Sequence, residues 1–474
     1  KMCGIIACIT KEGENLNYKK IQNKLFHRGP DNQGAYVDKY KDKCIKLMHN
    51  RLSIRDLSSL GNQPYEYNEY ILIFNGEIYN YRDLALRLNY LNIKVESNCD
   101  TEILCKYLAH YGVHSLSEVR GMYAFCLYNK KTKILIAARD QLGIKPLFYK
   151  YENNKIIFAS ESSIYEKDQI DIESFESYMI YGYFPKDESL LKNVHKLRPG
   201  EIQIVDTHTF EYKKLFLDLN FKKEFHRDIN SKVGSLIESS IKEQLVSDVP
   251  LGIFLSGGID SSLIAYNANK EISNFNCYVS KYFGEDSEKF NQDYKYAKLL
   301  AQNLGLNLIT VDINPSHKDF GDYFLKWASG LDEPQANLTG FTSYLLFKQA
   351  KDDHVKVILT GDGSDEIFGG YIRYRNSLLL EKYKILRHFP KYADFYSSNK
   401  NIKYARATGL FKPNLLNKIC TPELKFRNYF DNSFFKNDYE IANLINHYDL
   451  KLWISEESNM RVDRASMLNS VEAR

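Results

Sequence analysis

Short apolar runs separated by turn residues fill the first third of the chain. Residues 5–9, 45–48, 71–74, 124–128, 134–138, 147–149 and 156–159 can each make one strand. The Gly, Asn, Asp and Pro clusters between them suit antiparallel pairing. Helical spacing interrupts them at 81–91 and 101–111, predicting an α+β domain rich in sheet. Further on the pattern changes. Residues 229–245 are amphipathic, with Val233, Leu236, Ile237, Ile241 and Leu245 on one helical face. Apolar runs at 251–255, 277–279, 308–311 and 355–360 then alternate with helical stretches at 260–268, 294–304 and 343–350. Such alternation predicts a mostly parallel, doubly wound α/β sheet, with ligands at the carboxyl ends of its strands. A turn at Leu197-Arg198-Pro199-Gly200 before a strand over 202–205, a break at 206–208 and the Lys/Asp-rich stretch 218–228 mark a boundary between 200 and 228. The expected division is a domain over 3–199, a linker over 200–228 and a domain over 229–474.

Composition narrows the class without choosing a function. A chain of 474 residues, 44% apolar and 26% charged, calls for two or more globular domains. A net charge of +4 with no long basic run predicts no nucleic-acid partner. No apolar run approaches the ~20 residues of a membrane helix, and no secretory segment is read at the start. The eight cysteines (Cys3, Cys8, Cys44, Cys99, Cys105, Cys126, Cys277, Cys420) form no Cys-x-x-Cys pair. Reduced thiols in a cytoplasmic protein are therefore expected.

Chemistry concentrates in three places. In Leu251-Gly-Ile-Phe-Leu-Ser256-Gly257-Gly258-Ile-Asp260-Ser261-Ser262, a buried strand meets a Gly-Gly turn and a helix start. Free backbone N–H groups converge there, and glycines let an anion approach the backbone, so phosphate is the expected ligand. No lysine lies in the turn, so it is no Walker A loop. Asp260 beside phosphates instead calls for a cation, although the residue could also serve as a helix cap. A second strand-turn-helix, Val357-Ile-Leu-Thr360-Gly361-Asp362-Gly363-Ser364-Asp365-Glu366, carries three carboxylates within five residues. Like charges so close repel without a cation. Asp260 and Asp365 together would hold Mg²⁺ on ATP phosphates, while acidic capping is the alternative.

The third place is the start of the chain. Cys3, made N-terminal by removal of Met2, would carry an α-amine able to act as base towards its own thiol. It could equally be a small buried hydrophobe. Asn75 and Gly76 offer an amide and an N–H for an oxyanion hole. Arg51 could fork a carboxylate, and Asp100 could hold an ammonium. Those groups around a thiolate describe an amino-acid amide, with glutamine the obvious candidate.

Cys3-Gly4-Ile5, His27-Arg28-Gly29-Pro30-Asp31, Arg51-Leu52-Ser53-Ile54, Asn75-Gly76-Glu77-Ile78-Tyr79-Asn80, Asp100-Thr101-Glu102 and Ala138-Arg139-Asp140-Gln141-Leu142-Gly143-Ile144-Lys145-Pro146 occur in that order. Together they resemble the class-II glutamine amidotransferase domain of the glutamine-hydrolysing asparagine synthetases. The Ser-Gly-Gly loop resembles that of the ATP pyrophosphatases, and Gly361-Asp362-Gly363-Ser364-Asp365-Glu366 again resembles the asparagine synthetases. So do Leu331-Asp332-Glu333-Pro334 and Asp463-Arg464-Ala465-Ser466-Met467.

The resemblance implies an N-terminal-nucleophile sandwich (αββα) followed by an α/β doubly wound ATP-pyrophosphatase domain. It implies Cys3 as nucleophile, Asn75 and Gly76 as oxyanion donors, and Asp362 supporting adenylate formation. Glutamine would be bound by Arg51, Leu52, Ser53, Ile54, Arg55, Asn75, Gly76, Glu77 and Asp100. ATP would meet Leu255, Ser256, Gly257, Gly258, Asp260, Ser261, Val279, Thr360 and Gly361, with Mg²⁺ on Asp260 and Asp365. Glutamine, aspartate and ATP are the implied substrates, and a homodimer is compatible with it.

Three features depart from the family pattern. Lys1-Met2 precede Cys3 and are expected to be absent from the working enzyme. Asp362 stands where many relatives have Glu, which leaves the acceptor open to another acid, such as a cell-wall or sugar carboxylate. The sequence stops at Val471-Glu472-Ala473-Arg474, before the family's Pro-Phe-Leu-Asp stretch and lysine-bearing loop, so full synthesis is expected to need more chain. A non-catalytic glutamine- or nucleotide-sensing protein is the reading from another class; Cys3, Asp260 and Asp365 speak against it.

Overall fold

β1 (Gly4–Lys11) is buried at every residue but Lys11, because it lies inside a sheet covered on both faces. That double cover is why it reads as an unbroken apolar run instead of an alternation. The computed structural model describes residues 3–13, 17–152, 155–165, 169–217, 219, 226–389 and 441–474. Lys1, Met2, Cys420 and, from the expected linker, residues 218 and 220–225 lie outside them.

The first half contains α1 (Tyr18–Lys24), β2 (Asn32–Tyr40), β3 (Lys43–Arg51), β4 (Tyr65–Tyr67) and β5 (Tyr70–Ile78). There follow α2 (Tyr81–Tyr90), α3 (Asp100–Tyr111), β6 (Gly121–Asn129), β7 (Ile134–Arg139), β8 (Phe148–Glu152) and β9 (Lys155–Ala159). It closes with α4 (Ile172–Tyr181), β10 (Val194–Lys196), β11 (Glu201–Asp206) and β12 (Tyr212–Phe216).

The strands make two six-stranded antiparallel sheets, ordered β10-β8-β9-β1-β3-β2 and β12-β11-β7-β6-β5-β4. Ile5, Ala7 and Ile9 of β1 pack against Ile71, Ile73, Cys126 and Tyr128 to form the layer between the sheets. Leu84, Leu88, Ile103 and Leu104 of α2 and α3 cover the outer face of the second sheet, against Phe74 and Phe125. On the outer face of the first, Tyr18 and Ile21 of α1 pack with Ile6, Cys8 and Met48. The half is an αββα sandwich, as the resemblance implied. Sequence patterning passed over β2, whose half-exposed alternation suits an edge strand. Within the expected linker, residues 201–206 and 212–216 form β11 and β12. Pairing of Ile202 with Ala138 makes them part of the second sheet.

The second half opens with α5 (Ile229–Gln244) and β13 (Leu251–Phe254), then α6 (Ile259–Glu271), β14 (Asn276–Tyr282), α7 (Ser287–Phe290), α8 (Gln292–Leu304) and β15 (Asn307–Ile313). It continues through α9 (Phe320–Gly330), α10 (Thr339–Asp352), β16 (Val357–Leu359), α11 (Ser364–Phe368) and α12 (Ile372–Lys382). A helical run Ile441–Tyr448, a π-helix Asp449–Ser458, a helix Asn459–Met467 and β17 (Glu472–Ala473) follow.

Its five strands are all parallel, ordered β15-β14-β13-β16-β17. The chain leaves β13 for one side of the sheet and later returns to the other at β16. The carboxyl ends of those two strands therefore flank the crevice where such sheets bind ligands. On the apolar face of α5, Leu236 is 60% exposed, because that face borders an open cavity, whereas Ile241 and Leu245 further along the chain are buried.

Candidate active sites

Cys3 is fully buried at the threshold of β1. The antiparallel pairing of Gly4 with Asn50 sets it beside Arg51, the last residue of β3. From the facing sheet Asn75 reaches across: its Oδ1 accepts a hydrogen bond from the Cys3 backbone nitrogen at 2.8 Å. The other end of the amide, Nδ2, is buried without any acceptor. A sealed, unmatched donor costs ~1–3 kcal/mol, and it is the group an oxyanion would satisfy. Gly76 follows at φ +154, where a Cβ would lie 2.0 Å from the Met122 carbonyl oxygen, so only glycine lets β5 and β6 approach so closely.

Arg51 is partly committed to the loop after it. Its Nη1 donates to the Ser58 carbonyl at 2.8 Å and to Asn62 Oδ1 at 2.7 Å, and Nη2 donates to the Asp56 carbonyl. Nε remains buried with no acceptor. Arg55 holds Glu77 Oε1 at 2.6 Å and the Asn98 carbonyl at 2.9 Å. Asp100 Oδ2 accepts the Ile78 N–H at 3.0 Å, which brings Asp100 beside Glu77 at the start of α3. Ser53 donates its N–H to Asp31 at 2.7 Å. Leu52 and Ile54 pack into the apolar core of the second half, leaving only their backbone for a ligand.

The second site occupies the crevice beyond β13 and β16. A cavity of about 310 Å³ is lined by Leu255, Ser256, Gly258, Asp260, Ser261, Val279, Thr360, Gly361, Asp362 and Asp365. Gly257 packs against α8 at φ +74, where a Cβ would meet Ala297 N at 2.5 Å, so the turn tolerates no side chain. The Ser256 and Ser261 hydroxyls bond at 3.0 Å and tie the loop to the first turn of α6. Burial, and after it the charge of Asp365, raises the Asp260 carboxyl above its usual range. Among the described residues no three His, Cys, Asp or Glu side chains gather as a metal site. Two carboxylates next to a phosphate-sized hollow suit Mg²⁺, which takes most of its oxygens from phosphate and water.

Sequence reasoning passed over several neighbours. Ser458 donates to Asp362 Oδ1 at 3.0 Å, and Arg461 lies 3.8 Å from the same oxygen. Both come from the segment around Asn459, more than 90 positions away, and only the fold brings them here. Asp293, at the start of α8, also lines the crevice, and burial raises its carboxyl.

A larger cavity of about 630 Å³ runs between the halves. Tyr79, Met122 and Lys145 border it on one side; Thr360, Asp362 and Asp463 border it on the other. Around it the halves are tied by buried charge. Arg28 donates to the Cys3 carbonyl at 3.2 Å, to Glu161 at 2.9 Å and to Asp463 through two bonds of 2.8 and 3.0 Å. Burial pushes the Asp463 carboxyl up, but Arg28 and Arg464 outweigh it and hold it below its usual range. Arg464 grips Asp332, and Arg139 and Lys196 both reach Glu456. Lys145 is enclosed, and burial pulls its ammonium down to about 8.

Comparison with known proteins identifies the family of each half. A family of glutamine amidotransferase domains matches residues 2–216, and the asparagine synthase family matches residues 232–474. Asparagine synthetase [glutamine-hydrolyzing] 1 of Bacillus subtilis is 31% identical, over 100% of this chain and 79% of that protein. Amidase chry2 of Gibberella zeae is 30% identical over 80% of this chain and 61% of that protein. Among solved structures, glutamine phosphoribosylpyrophosphate amidotransferase from B. subtilis aligns with a TM-score of 0.34 at 15% identity, covering 76% of this chain and 82% of that one.

Proposed function

Since this chain belongs to the glutamine-hydrolysing asparagine synthetase family, we propose that it makes asparagine from aspartate, glutamine and ATP. With Cys3 as the first residue of the working enzyme, its α-amine takes the thiol proton. The sulfur attacks the glutamine carboxamide carbon while Asn75 Nδ2 and the Gly76 N–H stabilise the oxyanion. The C–N bond breaks, ammonia leaves, and water hydrolyses the thioester to glutamate and the free thiol. Arg51 faces the α-carboxylate, and Asp100 with Glu77 faces the α-ammonium.

In the crevice, a β-carboxylate oxygen of aspartate attacks the α-phosphorus of ATP and pyrophosphate departs. Asp260 and Asp365 would hold Mg²⁺, which neutralises phosphate charge when bound. The Ser256–Ser261 loop wraps the pyrophosphate, while Leu255, Val279, Thr360 and Gly361 face the adenosine monophosphate. Asp362, braced by Ser458, orients the acceptor carboxylate. Ammonia then attacks the acyl carbon, loses a proton, and adenosine monophosphate leaves. Adenylation is needed because a carboxylate resists a nitrogen nucleophile.

The observation that supports this reading is the cavity between the halves, which is lined both by Met122, whose carbonyl packs on Gly76, with Tyr79, and by Thr360 and Asp362 of the crevice. Ammonia must travel unprotonated, so the proposed transfer requires a route that excludes water while both sites are occupied. The test is Cys3→Ala: glutaminase should vanish while ammonia-dependent amide synthesis continues. Loss of both, or glutaminase without amide product in the native enzyme at any glutamine level, would refute the coupling.

A second reading keeps the chemistry and changes the acceptor. Asp362 is one methylene shorter than Glu, and one relative is named an amidase. Pyrophosphate release assayed against a panel of carboxylic acids separates the two. Among the described residues no helix is long and apolar enough to cross a membrane.

A further inference from the structure

Arg474 touches both sites at once. Its main chain belongs to the crevice: the carbonyl oxygen accepts the Thr360 N–H at 2.7 Å and the Thr360 hydroxyl at 3.3 Å, and its N–H donates to Ile358 at 2.9 Å. Its side chain runs the other way, fully enclosed. Nε binds Glu472 at 2.7 Å, and Nη1 binds the carbonyls of Gln244 and Val246 at 2.6 and 2.7 Å. Nη2 faces Glu77 Oε2 at 3.5 Å, an ion pair without a hydrogen bond, while Arg55 holds the other Glu77 oxygen at 2.6 Å.

That arrangement is asymmetric in a useful way. Three of the four guanidinium contacts are tight and hold the group in place. The fourth, to Glu77, is slack, and a buried donor left without an acceptor gains when the acceptor approaches. A shift of Thr360 passes through one carbonyl into the residue that bears on Glu77.

We propose that Arg474 is a positioning residue that couples occupancy of the nucleotide crevice to glutamine affinity, by tightening on Glu77 when Thr360 is drawn to the nucleotide. The inference rests on the proposed function, since it takes Glu77 and Thr360 as parts of the two sites. Coupling between sites is reciprocal: nucleotide must strengthen glutamine binding by the factor by which glutamine strengthens nucleotide binding.

The experiment uses Cys3→Ala protein, which binds glutamine without consuming it, and adenosine monophosphate with Mg²⁺ as the crevice probe. Calorimetry should show glutamine Kd falling about five-fold or more when the probe is present, with an equal change in probe Kd on adding glutamine. Adding Arg474→Lys, whose single ammonium cannot serve all four partners, should bring both factors to about one while probe binding persists. Thr360→Val, which removes only the hydroxyl contact, should lower the factor without abolishing it. Equal coupling with and without Arg474, or none in the Cys3→Ala parent, overturns the inference. Should the parent bind no glutamine at all, the proposed function itself fails, which is a separate outcome. If Arg474→Lys does not fold, an unchanged factor in Thr360→Val decides against the inference and a reduced one for it.

Discussion

Asn75 accepts the backbone N–H of Cys3 through Oδ1 at 2.8 Å and thereby fixes which way its amide points, leaving Nδ2 as a buried donor with nothing to bind. Glutamine hydrolysis would develop negative charge on the carboxamide oxygen, and the proposed function takes Nδ2 as the side-chain donor that meets it. Asn75→Ala should cut glutaminase kcat by about 10²–10³-fold, the usual effect of losing one oxyanion donor, with ammonia-dependent synthesis retained. Steady-state rates with each nitrogen source check this; a glutaminase rate within a few-fold of native would remove Asn75 from the reaction.

Asp260 and Asp365 share the crevice, where burial and then the charge of Asp365 raise the Asp260 carboxyl. Asp260→Asn and Asp365→Asn should each abolish measurable pyrophosphate release and raise the Mg²⁺ concentration needed for half-maximal ATP binding. Glutamine hydrolysis without nucleotide should survive. An unchanged Mg²⁺ requirement in both variants would mean that the two residues serve only as helix caps.

Arg28 lies fully buried between Glu161 and Asp463, one from each half. Arg28→Met takes one cationic partner from each of two enclosed carboxylates, leaving Asp463 to Arg464 and Glu161 to His27, and breaking such a buried pair costs about 3–5 kcal/mol. Urea unfolding should show that decrease, and Arg28→Met with Asp463→Leu should recover part of it. A change below about 1 kcal/mol would show the halves to be held by apolar contact instead.

Lys145 makes the opposite case, a cation whose charged form burial disfavours. Its neighbours carry both signs: Asp463, Glu472 and Asp140 favour the ammonium while Arg28 opposes it, and burial leaves it near 8 against 10.5 for a free lysine. The unfolded chain therefore binds the extra proton between about pH 8 and 10.5. The penalty for folding with a charged Lys145 is full below pH 8 and fades as pH rises through that window. Lys145→Met should be more stable than native by about 1–3 kcal/mol at pH 7, and the advantage should shrink towards pH 10.5. Denaturant midpoints at several pH values test the sign; a destabilised variant at pH 7 would refute it.

Much of the architecture was legible from patterning alone. Unbroken apolar runs marked β1, β5 and β6 because both faces of the two sheets are covered, and the alternation after α5 announced the parallel sheet. Polar alternation hid β2, an edge strand whose residues carry no continuous apolar signal. The face of α5 was read correctly as apolar, yet Leu236 stands over a cavity, since periodicity tells which residues share a face and not what covers them.

By itself the sequence determined the chemistry on offer: a thiol before a strand, an amide-glycine pair, a glycine turn and an acidic turn, each local enough for a few neighbouring residues to define. Only the tertiary structure decided which of these meet, and which distant residues serve them. Asn75 reaches Cys3 across two sheets, Ser458 and Arg461 arrive at Asp362 from over 90 positions away, and Arg28 finds Asp463 across the boundary of the halves. Such pairings depend on how layers pack and where strand order reverses. Short-range spacing holds no record of either.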